Sequence, residues 1–209
     1  MSNIVIEFAG LSGTGKTSLL RELCCTFGYP QAQISKKLRI GTILNLLPFG
    51  FVYVVKSDPQ LRKYAINALK RTYNARQFSV GTYCLDEGIF SYFSHISKNI
   101  TTKDNFILRS ARRGGVLPDG LILFSCDSMT RVNRIRKRAQ GCLDLALDDQ
   151  ANIAKSENWG AVWRARTGPL QEAGVDVFHV DSSTSTISEA AEAVHNWILD
   201  LEARRGQKS

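Results

Sequence analysis

Residues 10–17 constrain this chain more than any other stretch. They read Gly10-Leu11-Ser12-Gly13-Thr14-Gly15-Lys16-Thr17, which fits GxxxxGK[ST]. The run before them, Ile4-Val5-Ile6-Glu7-Phe8, is short, β-branched and mostly apolar, the pattern of a buried parallel strand. Thr17 to Thr26 reads as a helix. A strand, a Gly-rich turn and a helix start, in that order, make an anion cradle. The glycines let the backbone wrap closely around a phosphate. Successive N–H groups, from about residue 13 to 18, point inward and meet the positive end of the helix dipole. Lys16 is placed to reach the β- and γ-phosphates, and the Thr17 hydroxyl to ligate Mg²⁺. The expected triphosphate site is Gly10, Ser12, Gly13, Thr14, Gly15, Lys16, Thr17 and Ser18.

The loop implies a nucleoside triphosphate but does not name the chemistry. No NKxD-type motif or switch element marks a GTPase, and 209 residues is short for a motor or AAA-type ATPase. Beyond the loop, strands alternate with helices. Asp58-Pro59 opens a helix to about Ala75. Thr82–Leu85 is a second buried strand, ending at Asp86-Glu87-Gly88. Residues 89–97 and 103–112 look helical, and Gly114-Gly115 breaks the chain. Leu121–Phe124 is a third strand, followed by a basic helix over 129–139 with Ser128 as its cap. Val175–Val180 is a late strand, and Thr186 with Glu189 forms a capping box for the last helix. That helix places Ile187, Ala191, Val194, Ile198 and Leu201 on one face and frays from Arg204. The pattern predicts an α/β fold with helices on both faces of a parallel sheet.

The net charge is +8, which suggests an anionic partner. Nearly all of the excess lies in 61–115, with ten basic against three acidic side chains. Five cysteines without a CxxC pair argue against a zinc cage and for reduced, mostly buried thiols. The start shows no basic-then-apolar leader, and the apolar run 43–55 is too short to span a bilayer. The expectation is a cytoplasmic protein with no integral membrane segment. Phe49, Phe51 and Tyr53 in that run read as core, or as a wall for a base or another acceptor.

A transferred phosphoryl group spreads negative charge over its oxygens, so fixed cations stabilise the transition state. Arg131, Arg134 and Arg138 share a helix face by spacing and can converge on such a group. Asp86 ends a strand, where open α/β sheets bind ligands. It can accept a proton from an acceptor hydroxyl or hold Mg²⁺, and Glu87 can share either role. Capping of the next helix is the plainer alternative for Asp86. Of the arginines in the basic block, Arg62, Arg76, Arg109, Arg112 and Arg113 are candidates to hold an acceptor phosphate.

The chain resembles the thymidylate kinase-like group of P-loop kinases, which includes deoxynucleoside kinases. Four places carry the resemblance: IVIEFAGLSGTGKTSLL at 4–20, LDEG at 85–88, PDGLILFSCDSMTRVNRIRKR at 118–138 and VDVFHVDSSTSTISEAAEAV at 175–194. It implies a three-layer P-loop fold with a five-stranded parallel sheet of order 2-3-1-4-5. It implies one domain over 1–209, with acceptor-binding residues in about 28–115 and a lid in about 129–155. The implied activity is transfer of the γ-phosphate of Mg²⁺-ATP to a nucleoside or nucleotide. Arg134 and Arg138 fall on the lid arginines, Asp181 and Ser182 on the adenine-side loop, and Glu7 on an acid of the opening strand. Arg62 lies near where the group often has an acceptor arginine, and Arg109 is a further candidate. The group often has Arg where this chain has Glu87; a carboxylate there repels a monophosphate and favours a neutral hydroxyl acceptor. A nucleic-acid acceptor, a non-nucleotide small molecule and a non-catalytic ATP-binding protein stay open, as does a homodimer.

Overall fold

The computed structural model describes residues 3–31, 71–72, 75–76, 81–86, 88, 90, 117–137 and 148–207. In chain order they form β1 (Ile4–Ala9), α1 (Lys16–Phe27), β2 (Thr82–Asp86), β3 (Gly120–Ser125), α2 (Ser128–Lys137), α3 (Asp149–Glu172), β4 (Asp176–Asp181) and α4 (Ile187–Gly206). The strands pair in parallel in the order β2-β1-β3-β4. This is the 3-1-4-5 part of the expected 2-3-1-4-5 order. The sheet thus has four described strands rather than five. Gln31 makes a single parallel bridge to Cys84 on β2, on the side where a further strand would pair. The rest of 28–57 lies outside the described residues, as do the apolar run 43–55 and the helix expected over 103–112.

Alternation along β1 decides what each face buries. Ile4, Ile6 and Phe8 pack with Leu19, Leu20 and Leu23 of α1 and with Ala191, Val194, Ile198 and Leu201 of α4. Each large apolar side chain so enclosed stabilises the fold by about 1.5–3 kcal/mol. On the other face Ala9, Leu121 and Leu123 pack against Trp163 and Leu170 of α3. Helices therefore cover both faces, as expected of a three-layer α/β sheet. Arg71, Thr72, Ala75 and Arg76 are helical, consistent with the end of the helix expected from Asp58-Pro59. Among the described residues no helix is long and apolar enough to cross a membrane.

Several local expectations are corrected. Asp127, not Ser128, caps α2: its Oδ1 accepts from Thr130 N at 2.8 Å. Ile187 is half-exposed, because the capping turn places it at the very start of α4. The helix does not fray at Arg204. It continues to Gly206, with Arg204 ion-paired to Asp176 and Arg205 to Asp119. Of the four described cysteines only Cys84 is buried, and Cys25 is exposed.

Candidate functional site

β1 ends at Ala9 and the chain turns sharply, because Gly10 lies against β3. A side chain on Gly10 would put its Cβ 2.8 Å from Phe124 Cβ. Gly13 and Gly15 take φ of 89° and 90°, the left-handed region that glycine enters without strain. Gly15 is also the N-cap of α1 and has no side chain to satisfy the helix's first amides. No acid stands in the first turn. The amides at the start of α1, with the positive end of its dipole, are thus directed to an external anion. Thr14 closes the turn through its hydroxyl to Leu11 O at 2.8 Å.

Lys16 extends back over this loop, its Nζ donating to Gly10 O at 2.6 Å and Leu11 O at 3.0 Å. An ammonium held there stands where phosphate oxygens would arrive. Thr17 is exposed and Ser18 half-buried. Asp86, half-buried, ends β2 in register with Phe8, so it stands beside the start of the loop at the C-terminal rim of the sheet. A hydroxyl and a carboxylate are hard oxygen donors. They suit Mg²⁺, which keeps waters and substrate oxygens and takes only one or two carboxylates.

Arg134 points to the same rim from α2. Its Nη1 donates to Ser182 Oγ and its Nη2 to Ser182 O, each at 2.8 Å. This pair borders a cavity of about 330 Å³, whose walls also include Gly15, Ser18, Leu19 and Ile187. Asp181 does not face this cavity as a free acid. Its Oδ1 accepts from Ser183 N at 2.9 Å and Ser183 Oγ at 2.5 Å, and so shapes the loop. Ser183 Oγ in turn accepts from Asp127 N at 2.9 Å, which ties this loop to the start of α2. The Asp127 carboxyl is held below its ordinary range, first by the Thr130 hydroxyl and then by the Thr130 N–H.

Three acids and bases are placed differently from expectation. Glu7 is fully buried, and its Oε2 accepts from Phe90 N at 3.0 Å. Gly88 packs so closely on this carboxylate that a Cβ there would lie 2.5 Å from Oε2. Glu7 therefore anchors the segment after β2 instead of opening to an acceptor. Arg131 does not converge with Arg134: it is fully buried under the loop, donating to Ser12 O. Its neighbours Val132 and Ile135 are buried too, and that apolar stripe is the signal that assigns Arg131 inward. Arg76 pairs with Asp119 at 2.5 Å, at the opposite rim, and is no acceptor cation. Arg71, by contrast, donates to Asp86 O at 2.8 Å, a contact that no local sequence pattern signals. Glu87, Arg62, Arg109, Arg112, Arg113 and Arg138 lie outside the described residues.

No protein-family model and no curated protein matches the chain. Solved structures do. A deoxyadenosine kinase from M. mycoides with bound dATP aligns with a TM-score of 0.58 at 14% identity, over 93% of this chain and 99% of that one. The same enzyme with bound dCTP gives 0.56 at 16% identity, over 94% and 100%. The YorR protein of Bacillus subtilis, in complex with phosphorylated GDP, gives 0.55 at 14% identity, over 96% and 98%. At such identities the likeness establishes a shared α/β fold over nearly the whole chain.

Proposed function

We propose that the chain is a Mg²⁺-ATP phosphotransferase of the nucleoside and nucleotide kinase kind. It transfers the γ-phosphate to a hydroxyl or phosphate of a nucleoside-like acceptor. The observation that carries this reading is the loop, Lys16 and the start of α1 standing beside Asp86 at one rim of a parallel sheet. The fold shared with a deoxyadenosine kinase supports it. The reading takes 1–209 as one domain, with the acceptor side in 28–115 and the lid in 129–155.

The loop amides and Lys16 hold the donor phosphates and draw charge toward the β–γ bridge. Thr17 and Asp86 are the residues that would hold Mg²⁺, which would supply charge neutralisation to the donor phosphates. Asp86 orients the acceptor oxygen and takes its proton as the new O–P bond forms and the bridge to ADP breaks. Arg134, whose Nη1 lies beside Gly15 of the loop, balances charge on the moving group together with Arg138. Asp181 and Ser182 bring the adenine-side loop to the donor base. Glu87, one residue past Asp86, disfavours an acceptor that carries its own phosphate, so a neutral hydroxyl of a nucleoside is the preferred acceptor. Arg71, Arg62 or Arg109 supplies the cation if a monophosphate is used instead.

The test is a transfer screen with γ-labelled ATP against nucleosides, nucleoside monophosphates, sugars and oligonucleotides. Label should move to a nucleoside, or to a monophosphate. Tight ATP binding with no transfer to any acceptor would leave a nucleotide-binding protein and end the proposal. Transfer to oligonucleotides alone, falling steeply with salt, would move the acceptor class to nucleic acid.

A further inference from the structure

Arg131 is an unusual side chain to find under a phosphate loop. It is fully buried, on α2, 119 residues from the carbonyl it holds. Its Nε donates to Ser12 O at 2.9 Å. Its Nη1 donates to Asn152 O at 3.1 Å and to Ser156 Oγ at 3.0 Å, both on α3. Ser156 Oγ itself donates to Asn152 O at 3.0 Å. The guanidinium is thus fixed from two helices, and its planar fork leaves it little freedom to turn. The contact is also close in the apolar sense. A Cβ on Gly13 would lie 2.9 Å from Ile135 Cγ1 and 3.2 Å from Arg131 Cγ, so the loop rests directly on α2.

The carbonyl that Arg131 holds belongs to the Ser12–Gly13 peptide. That peptide is trans, so the Gly13 N–H points away from the guanidinium. By the GxxxxGK[ST] pattern, the Gly13 N–H is the first of the amides expected to line the anion cradle. A cation donating to the carbonyl polarises the amide and strengthens its N–H as a donor, by about 10–30% per bond in a hydrogen-bonded chain. A charge-assisted bond in a buried setting has the larger effect.

We propose that Arg131 is a positioning residue for donor binding, holding and polarising the Ser12–Gly13 amide so that Gly13 N–H donates to a phosphate oxygen. The proposal rests on the phosphotransfer reading above. Arg131 touches no substrate; it acts through the loop backbone. Because its other end is fixed on α3, the same side chain makes loop geometry depend on how α2 and α3 sit together. These helices flank residues 138–147 of the expected lid.

The test uses the full chain and Mg²⁺-ADP as probe, followed by amide NMR and calorimetry. In the parent protein the Gly13 amide proton should move downfield on binding. Arg131→Met should weaken Mg²⁺-ADP binding about tenfold and return the bound Gly13 proton upfield. Arg131→Lys, which keeps charge but cannot reach both Ser12 and α3, should fall between them. The acceptor KM should change less than twofold while the donor KM follows the Kd. A folded Arg131→Met with unchanged Kd and an unchanged Gly13 shift would overturn the proposal. So would a parent protein whose Lys16 and Thr17 amides respond to Mg²⁺-ADP while Gly13 does not, and the phosphotransfer reading would survive that result. If no loop amide responds, both fall.

Discussion

Gly13 has neither the φ nor the space for a side chain. Its φ of 89° is strained for any other residue, and a Cβ would meet Ile135 and Arg131. Gly13→Ala should therefore destabilise the protein by about 1–3 kcal/mol, seen as a lower Tm, and should weaken ATP binding more than Gly28→Ala does. Gly28 also has positive φ, but a Cβ there meets nothing within 4 Å. Lys16→Ala is the converse case. Its ammonium bonds to the loop carbonyls of Gly10 and Leu11 rather than to the core, so Tm should stay near that of the parent. Loss of a cation at the transferring group should lower kcat about 10²–10³-fold. An active Lys16→Ala enzyme with parental kcat would contradict the role assigned to the loop. Lys16 and Thr17 were legible in the sequence because the motif is local: eight adjacent residues fix the turn and the helix start. Arg131, Arg71 and Glu7 were not, since their partners lie 119, 15 and 83 residues away. Spacing can tell that Arg131 and Arg134 share a helix side, but not that the interior begins between them.

At the level of elements, the start of α4 is fixed by a reciprocal cap. Thr186 Oγ1 accepts from Glu189 N at 3.3 Å, and Glu189 Oε2 accepts from Thr186 N at 2.9 Å. Thr186→Ala should cost about 1 kcal/mol, measured by denaturant unfolding. The Glu189 carboxyl is held below its ordinary value, first by that backbone N–H and then by the Thr186 hydroxyl. A depressed folded-state value means that the stabilisation is complete above the unfolded value of about 4.3 and is lost as pH falls through the lower folded value. Glu189→Gln should thus lose less Tm than the parent between pH 6 and pH 3.5; an equal loss would show that the cap is not titrating. This cap was readable because its partners are three residues apart. α3 carries no clear helical signal in the sequence. Its apolar residues are spread around it with little asymmetry, and Pro169 sits inside its last turns. Burial of Trp163 and Leu170 against β3, a tertiary effect, overrides that weak local signal. The end of α4 is opaque in sequence for a similar reason: Arg204 and Arg205 look like a solvated tail until β3 and β4 bring Asp119 and Asp176 beneath them.

The whole molecule has two rims with separate work. The glycine-rich loop, Asp86, Arg134 and Ser182 stand at the C-terminal ends of the strands. At the other rim Asp119, almost wholly buried, accepts from Val5 N at 2.9 Å and pairs with both Arg76 and Arg205. Its own N–H and C=O bond to β1 and β4: Asp119 N donates to Val5 O at 2.7 Å and Asp176 N donates to Asp119 O at 3.0 Å. One residue thus joins three strands, the helix carrying Arg76 and the end of α4. The basic block at 61–115 is therefore not all acceptor-facing, since Arg76 is committed here. Removing the carboxylate leaves two guanidinium groups without it in a largely enclosed place, and breaking such a buried pair costs about 3–5 kcal/mol. Asp119→Ala should lower Tm steeply. Arg205→Ala should cost less, because Arg76 still pairs with Asp119. Below the Tm of each variant, Mg²⁺-ATP affinity should remain within about twofold of the parent, because the loop is built at the other end of β1. A donor affinity that fell in step with stability would show that the two rims are coupled through the sheet.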